Sequence, residues 1–323
     1  MRKNMVMLFA LISALCIFAC SCTSSPPEEQ MPVDADLSCS CVVFYESQGC
    51  LVPVNVETVW SENTLDELYA QLCAAPAELE GTGLNAILPA DTLIETSVED
   101  KIASVHISAP SIDSLTANQA RNIATAAVNT ATQFDGIEGV SLVFNGSSEK
   151  LGGVDISKVM CAQCINPAYD IGDLTPFEVY YQLGDGDYVV PVTKAARKLS
   201  ADVAVKAMMK APEGKDVNPL FPDGTELLSA ELDGGVLTLN FSSEFSKIEE
   251  SPEKQKQLLG ALVSMLKQLE GVNEIQILVE GVPFNYNAPT TAGVFANTLD
   301  FKDPVDAEQK TEKTDETDKK DIL

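Results

Sequence analysis

The sequence predicts an α+β protein built from two tandem copies of one small domain, each a mainly antiparallel sheet with two helices packed on one face. Three observations carry this. In residues 220–284, two short apolar runs flank Asp233, Gly234 and Gly235, the strongest local signal for a hairpin. Behind the hairpin, Ser251 offers a helix N-cap and Pro252 the first helical position, while Leu258, Leu262, Met265 and Leu269 form one apolar stripe before Gly271. Ile275, Ile277 and Val279 then alternate with polar residues, as in a strand with one face on a core. The third observation is a degraded copy upstream. Pro89 matches Pro222, residues 102–108 match 236–242, and Gly136, Val140 and Gly146 match Gly271, Ile275 and Gly281, at offsets of about 133 to 135 residues. Further back, Val52, Pro53 and Val54 echo Val190, Pro191 and Val192. A period this long marks a tandem domain and not a solenoid repeat, whose units run about 20 to 50 residues.

In chain order, residues 1–19 read as an export signal: Arg2 and Lys3 supply its positive start, and an apolar run too short to span a bilayer follows. Ile17, Phe18, Ala19 and Cys20 look like the bacterial lipobox, with Cys22 as the alternative acceptor. A diacylated, palmitate-type lipid at Cys20 would anchor the chain stably, since two chains hold where one is marginal. Residues 20–39, rich in Ser, Pro and Glu, read as a tether. Residues 40–146 form the first copy. There Thr64 with Glu67 and Thr116 with Gln119 each have capping-box spacing, ahead of stripes at Leu65, Leu68 and Leu72 and at Ile123, Ala127 and Phe134. Residues 147–176 read as a linker, 177–284 as the second copy, and 285–323 as a disordered tail of Lys, Asp, Glu and Thr.

These copies resemble the GerMN domain of sporulation and spore germination lipoproteins. The residues that carry the resemblance are the block LFPDGTELLSAELDGGVLTLNFSSEF, the helix behind it and the ending LEGVNEIQILVEGVPF. The second copy follows the pattern closely. The first departs from it after its core strand, where Glu99, Asp100 and Lys101 replace the glycine pair. The family brings no catalytic motif, so the resemblance implies a biological setting and no chemistry.

Charge and cysteine narrow the possibilities. The chain carries a net charge of −27, and removal of Arg2 and Lys3 with the signal takes it to −29. Repulsion from nucleic acid excludes that class of partner. Of nine cysteines none follows Cys164, so the second copy folds without any. Cys161 and Cys164, in CAQC, with Cys39 and Cys41 have the wrong spacing for a zinc site, and Pro167 breaks the helix that a redox dithiol needs. For Cys39, Cys41, Cys50, Cys73, Cys161 and Cys164, local disulfides and free thiols both stay open. His106 is the sole histidine, on a polar strand position matched by Asn240, and there is no nucleophile elbow. The reading is therefore non-enzymatic, with no catalytic residue, metal or cofactor.

Two functions follow from this. The first is a lipid-anchored adaptor at the outer face of the cell membrane, which the resemblance sets in sporulation or germination, with a protein partner docked at the polar face of the last strand: Glu274, Gln276 and Glu280. The alternative is a surface lipoprotein that binds a soluble or cell-wall ligand between its two domains.

Overall fold

The computed structural model describes residues 38–74, 77–286 and 296–297. The expectations for residues 1–37, with Cys20 and Cys22, and for most of the tail lie outside the described residues. The first copy runs β1 (Ser38–Ser47), β2 (Cys50–Val59), α1 (Thr64–Cys73), β3 (Leu93–Glu99), β4 (Ile102–Ser108), α2 (Ala117–Thr132) and β5 (Gly139–Phe144). Two short strands, β6 (Lys150–Leu151) and β7 (Val154–Asp155), follow it. The second copy runs β8 (Thr175–Leu183), β9 (Val189–Ala196), α3 (Ala201–Met208), β10 (Val217–Asn218), β11 (Leu227–Asp233), β12 (Val236–Phe241), α4 (Pro252–Leu266), β13 (Glu274–Val279) and β14 (Val282–Pro283).

Each copy holds two sheets. One is the amino-terminal hairpin, β1 with β2 or β8 with β9, to which the second copy adds β10. The other has the order β3-β4-β5 in the first copy and β11-β12-β13-β14 in the second. Within it the hairpin is antiparallel, whereas β4 and β5, like β12 and β13, pair in parallel. The long helix makes that parallel pairing possible, because a parallel connection needs a crossover.

Apolar spacing places the helices. Leu68, Tyr69 and Leu72 bury one face of α1, Ile123, Ala127 and Val128 one face of α2, and Leu258, Leu262 and Met265 one face of α4. Thr116 and Gln119 close the expected capping box on α2, and the Ser251 hydroxyl accepts from Lys254 N on α4. The box at Thr64 does not form. Helix α1 begins at Thr64 itself, whose hydroxyl accepts from Ser61 N at 2.8 Å, and Glu67 accepts from Thr58 Oγ1 at 3.1 Å instead.

Residues 147–176 are more than a connector. Met160 and Val140 exchange two main-chain hydrogen bonds of 2.8 Å, which covers the free side of β5. Ile165 and Asn166 are buried. The expected tail from residue 285 is likewise part of the core at two positions, since Ala296 and Asn297 are 7% and 8% exposed. The burial of Asn166 and of Asn297 has one cause, an interface between the copies.

Candidate functional site

The interface forms where β2 of the first copy meets β9 of the second. Each strand carries a proline in its first half, Pro53 and Pro191. Proline has no N–H to give, so the two strands cannot zip into a direct ladder there. Their carbonyls are nevertheless buried and need donors. Two asparagine side chains supply them. Asn166 Nδ2 donates to Leu51 O at 2.8 Å and Pro191 O at 2.9 Å, while its Oδ1 accepts from Leu51 N at 2.8 Å. Asn297 Nδ2 donates to Val189 O and Pro53 O, and its Oδ1 accepts from Val189 N, all at 2.8 Å. Leu51 and Val189 are equivalent in the repeat, as are Pro53 and Pro191. Each asparagine thus clasps the main chain of its own copy and reaches the proline of the other. Thr193 Oγ1 to Ile165 O at 2.9 Å and Asn55 Nδ2 to Ala296 O at 3.3 Å extend the same exchange.

A second device repeats inside each copy. Gln133, at the end of α2, accepts from Val42 N at 2.7 Å and donates to Val42 O at 3.0 Å. Gln268, just past α4, accepts from Glu178 N at 2.9 Å and donates to Glu178 O at 3.2 Å. These clamps tie the long helix to the first strand. The tandem is therefore held by directional hydrogen bonds to main chain as well as by its core.

What this frame presents is two open sheet edges. In the first copy β5 is covered by Met160 and β3 is outermost; in the second β13 is covered by β14 and β11 is outermost. Nothing among the described residues pairs with the outer sides of β3 and β11. Leu93 and Val98 on β3, and Leu228 and Leu232 on β11, are each about half or more exposed, from 47% to 71%. Of the residues the sequence singled out, Glu274 and Gln276 are exposed on β13, and Gln276 Oε1 accepts from Thr238 Oγ1 at 3.4 Å. Glu280 does not extend their row. It sits in the turn before β14 at φ 49°, and its carboxylate accepts from Ser243 N at 3.3 Å. His106 is exposed on β4, opposite Glu95.

Reactive geometry is sparse. Among the described residues no three or more His, Cys, Asp or Glu side chains are grouped to hold a metal. Cys39 and Cys41 bring their Sγ atoms to 3.7 Å on one face of β1, and burial with the Cys39 contact pushes the Cys41 thiol up to about 12, far from a reactive thiolate. Two clefts went unseen in the sequence. One of about 480 Å³ lies between β8, the Phe221 loop and α4, with Lys247 and Lys254 on its wall. Another of about 640 Å³ lies between α2 and residues 163–171, where Arg121, Gln163, Tyr169 and Asp170 meet. No helix among the described residues is long and apolar enough to cross a membrane.

The family described as Germane, sporulation and spore germination, matches residues 42–150 and 178–284, one match on each copy and together most of the chain. The chain belongs to the Germane family. A relative in Bacillus subtilis (strain 168), the spore germination protein GerM, is 26% identical over 255 residues, which are 73% of this chain and 70% of that protein. Among solved structures, the tandem GerMN domains of the sporulation protein GerM from Bacillus subtilis superpose with a TM-score of 0.60 at 22% identity, covering 80% of this chain and all of that one. The first GerMN domain of the same protein covers 38% of this chain at a TM-score of 0.34. This is a GerM-like sporulation and germination protein with the tandem GerMN fold, and none of these relatives carries an enzymatic name. Both keystone asparagines lie outside the family matches, in the segments that follow each copy.

Proposed function

We propose that this Germane protein is a lipid-anchored adaptor at the outer face of the cell membrane, joining a sporulation or cell-envelope complex through docking surfaces and not through a reacting side chain. The observation that carries the reading is the combination of a seam locked by Asn166 and Asn297 with one uncovered sheet edge on each copy. Uncovered edges accept a strand from another chain by main-chain hydrogen bonds, and a locked frame presents them at fixed spacing. Glu274 and Gln276 add a polar surface on β13, across β12 from the second edge, and lipidation at Cys20, or at Cys22, would keep the frame near the bilayer.

The test has two parts. Wild-type protein should partition with membranes, and Cys20→Ala should release it and lose the acyl label; a label that persists assigns the lipid to Cys22. Charge reversal at Glu274, together with a proline in the middle of β11, should abolish retention of partners from sporulating cells while the fold survives. Full retention by that variant would remove the docking surface. A second reading, in which a small anionic ligand occupies the cleft at Arg121, is favoured by a guanidinium that has no ion pair among the described residues in so acidic a chain. Saturable binding of such a ligand, lost in Arg121→Ala, would support it.

A further inference from the structure

Trp60 is the only tryptophan in the chain, and it is 53% exposed at the end of β2. Its neighbour Val59 is 58% exposed. The ring does not lie loose: it meets Phe134 edge-on, with centroids 5.5 Å apart and planes at 61°. Phe134 follows α2 directly after Gln133, whose clamp on Val42 holds this end of the helix against β1. Val59 pairs with Ser38 at the start of β1. A large ring braced from one side and bare on the other is the composition of an interface hot spot.

The surroundings decide what fits it. No lysine or arginine occurs between Lys3 and Lys101. Glu57, Glu62, Asp66 and Glu67 lie within seven positions of Trp60, and Asp135 adjoins Phe134; all five are exposed. The next cation along the sequence, Lys101, already pairs with Glu138. Anionic surfaces are therefore repelled, and a cation that approaches the indole face gains both the carboxylates and the ring quadrupole.

We infer that Val59 and Trp60 form a docking site for a basic, apolar peptide segment of a partner protein, in which an aliphatic side chain covers the indole and flanking Lys or Arg residues meet the acidic rim. This rests on the adaptor reading and gives that reading one specific surface and one partner chemistry. A neutral lipid surface is the competing occupant, and the rim argues against it because it supplies charge that such a surface cannot use.

The lone tryptophan makes the test direct. The mature chain is titrated with three probes lacking tryptophan: a Lys/Leu peptide, a Glu/Leu peptide of equal length and phosphatidylcholine vesicles. The expected result is a saturable blue shift of Trp60 emission with the Lys/Leu peptide alone. With a dye-labelled Lys/Leu peptide followed by anisotropy, Trp60→Ala should weaken binding by about tenfold or more, as loss of a hot-spot residue does. Glu57→Lys with Glu62→Lys should weaken it too, while Val282→Ala, at an exposed apolar residue of β14 in the second copy, should not. Unchanged emission at saturating peptide, equal affinity in Trp60→Ala, or a blue shift with vesicles alone would each overturn the inference. Failure of the adaptor role is read separately, in cells: wild-type protein that retains no partner removes that role, whereas equal retention by wild type and Trp60→Ala removes only this surface.

Discussion

The two copies differ most in what fills their interiors and least in the polar residues that fix their backbones. In the first copy α2 packs small residues, Ala120, Ala124, Ala127 and Ala131, where α4 packs Leu258, Leu262, Met265 and Leu266. Cys41, Cys50 and Cys73 are buried only in the first copy. The amino-terminal tyrosines also part ways. Tyr45 donates to Gln71 at 2.8 Å, while Tyr181 donates to the end of α3 at Ala207 O and Lys210 O, beside Lys194. Lys194 gives Nζ to the same two carbonyls, and burial lowers its pKa to about 8. The glutamine clamp and the asparagine keystone, by contrast, repeat at equivalent places. Apolar burial has no direction and tolerates exchange at constant volume, whereas a hydrogen bond to main chain needs its donor at one point. Divergence has gone where physics allows it.

If that account is right, the largest effects belong to the keystones. Asn297→Ala leaves the buried N–H and carbonyl of Val189 without a partner, Pro53 O keeping the main-chain N–H of residue 297, and Asn166→Ala leaves the carbonyls of Leu51 and Pro191 without a donor. Each should lower stability by about 3 kcal/mol or more in denaturant unfolding, with similar values for the pair. A cost below about 1 kcal/mol at either site would break the equivalence.

The glutamine clamps come next. Gln133→Ala and Gln268→Ala should each cost about 1 to 2 kcal/mol, and the two numbers should agree despite the different cores around them. A large cost in one copy alone would show that the clamp works only in its own packing context.

Glu178 separates the copies by pH. Burial raises its carboxyl pKa, although Tyr180 donates to it at 3.2 Å, and the equivalent residue in the first copy is Val42. The native state therefore holds this proton more tightly than the unfolded chain does. Stability should fall as pH rises from about 4.5 through the raised value, and Glu178→Gln should remove that slope. An unchanged pH profile in the variant would place the titration elsewhere.

The hairpin turns give the smallest effect and the clearest asymmetry. Gly234 and Gly235 adopt φ 55° and 89°, and Asp100 and Lys101 stand in the matching turn at φ 49° and 66°. A Cβ on Gly235 would meet Asn273 Nδ2 at 2.5 Å. Gly235→Ala should therefore lower the melting temperature, whereas Lys101→Gly should leave it nearly unchanged, its relief of left-handed strain offset by the lost Glu138 pair. Thermal melts of the two variants check this.

Much of this was legible in the sequence, and the misses have a shared cause. The hairpin at Asp233 to Gly235, the helix stripes, the caps at Thr116 and Ser251 and the outward His106 all follow from local spacing, because each depends on neighbours a few residues away. Gln133 and Gln268 lie 135 positions apart, within the repeat offset, so the clamp left a signal that spacing alone could have found. Asn166 and Asn297 resemble ordinary loop asparagines, and only their distant partners make them core. Thr64 failed as a cap because Ser61 N, three positions upstream, donates to its hydroxyl. The clefts and the bare edges depend on which strands end up outermost, which no local pattern records.

The central claim is that the two copies form one unit closed by exchanged asparagines, and scanning calorimetry of residues 38–323 tests it most directly. A single transition is predicted, with calorimetric and van't Hoff enthalpies in agreement, splitting into two in the Asn166→Ala and Asn297→Ala double variant. Two independent transitions in the wild-type chain, unmoved by the double substitution, would contradict it.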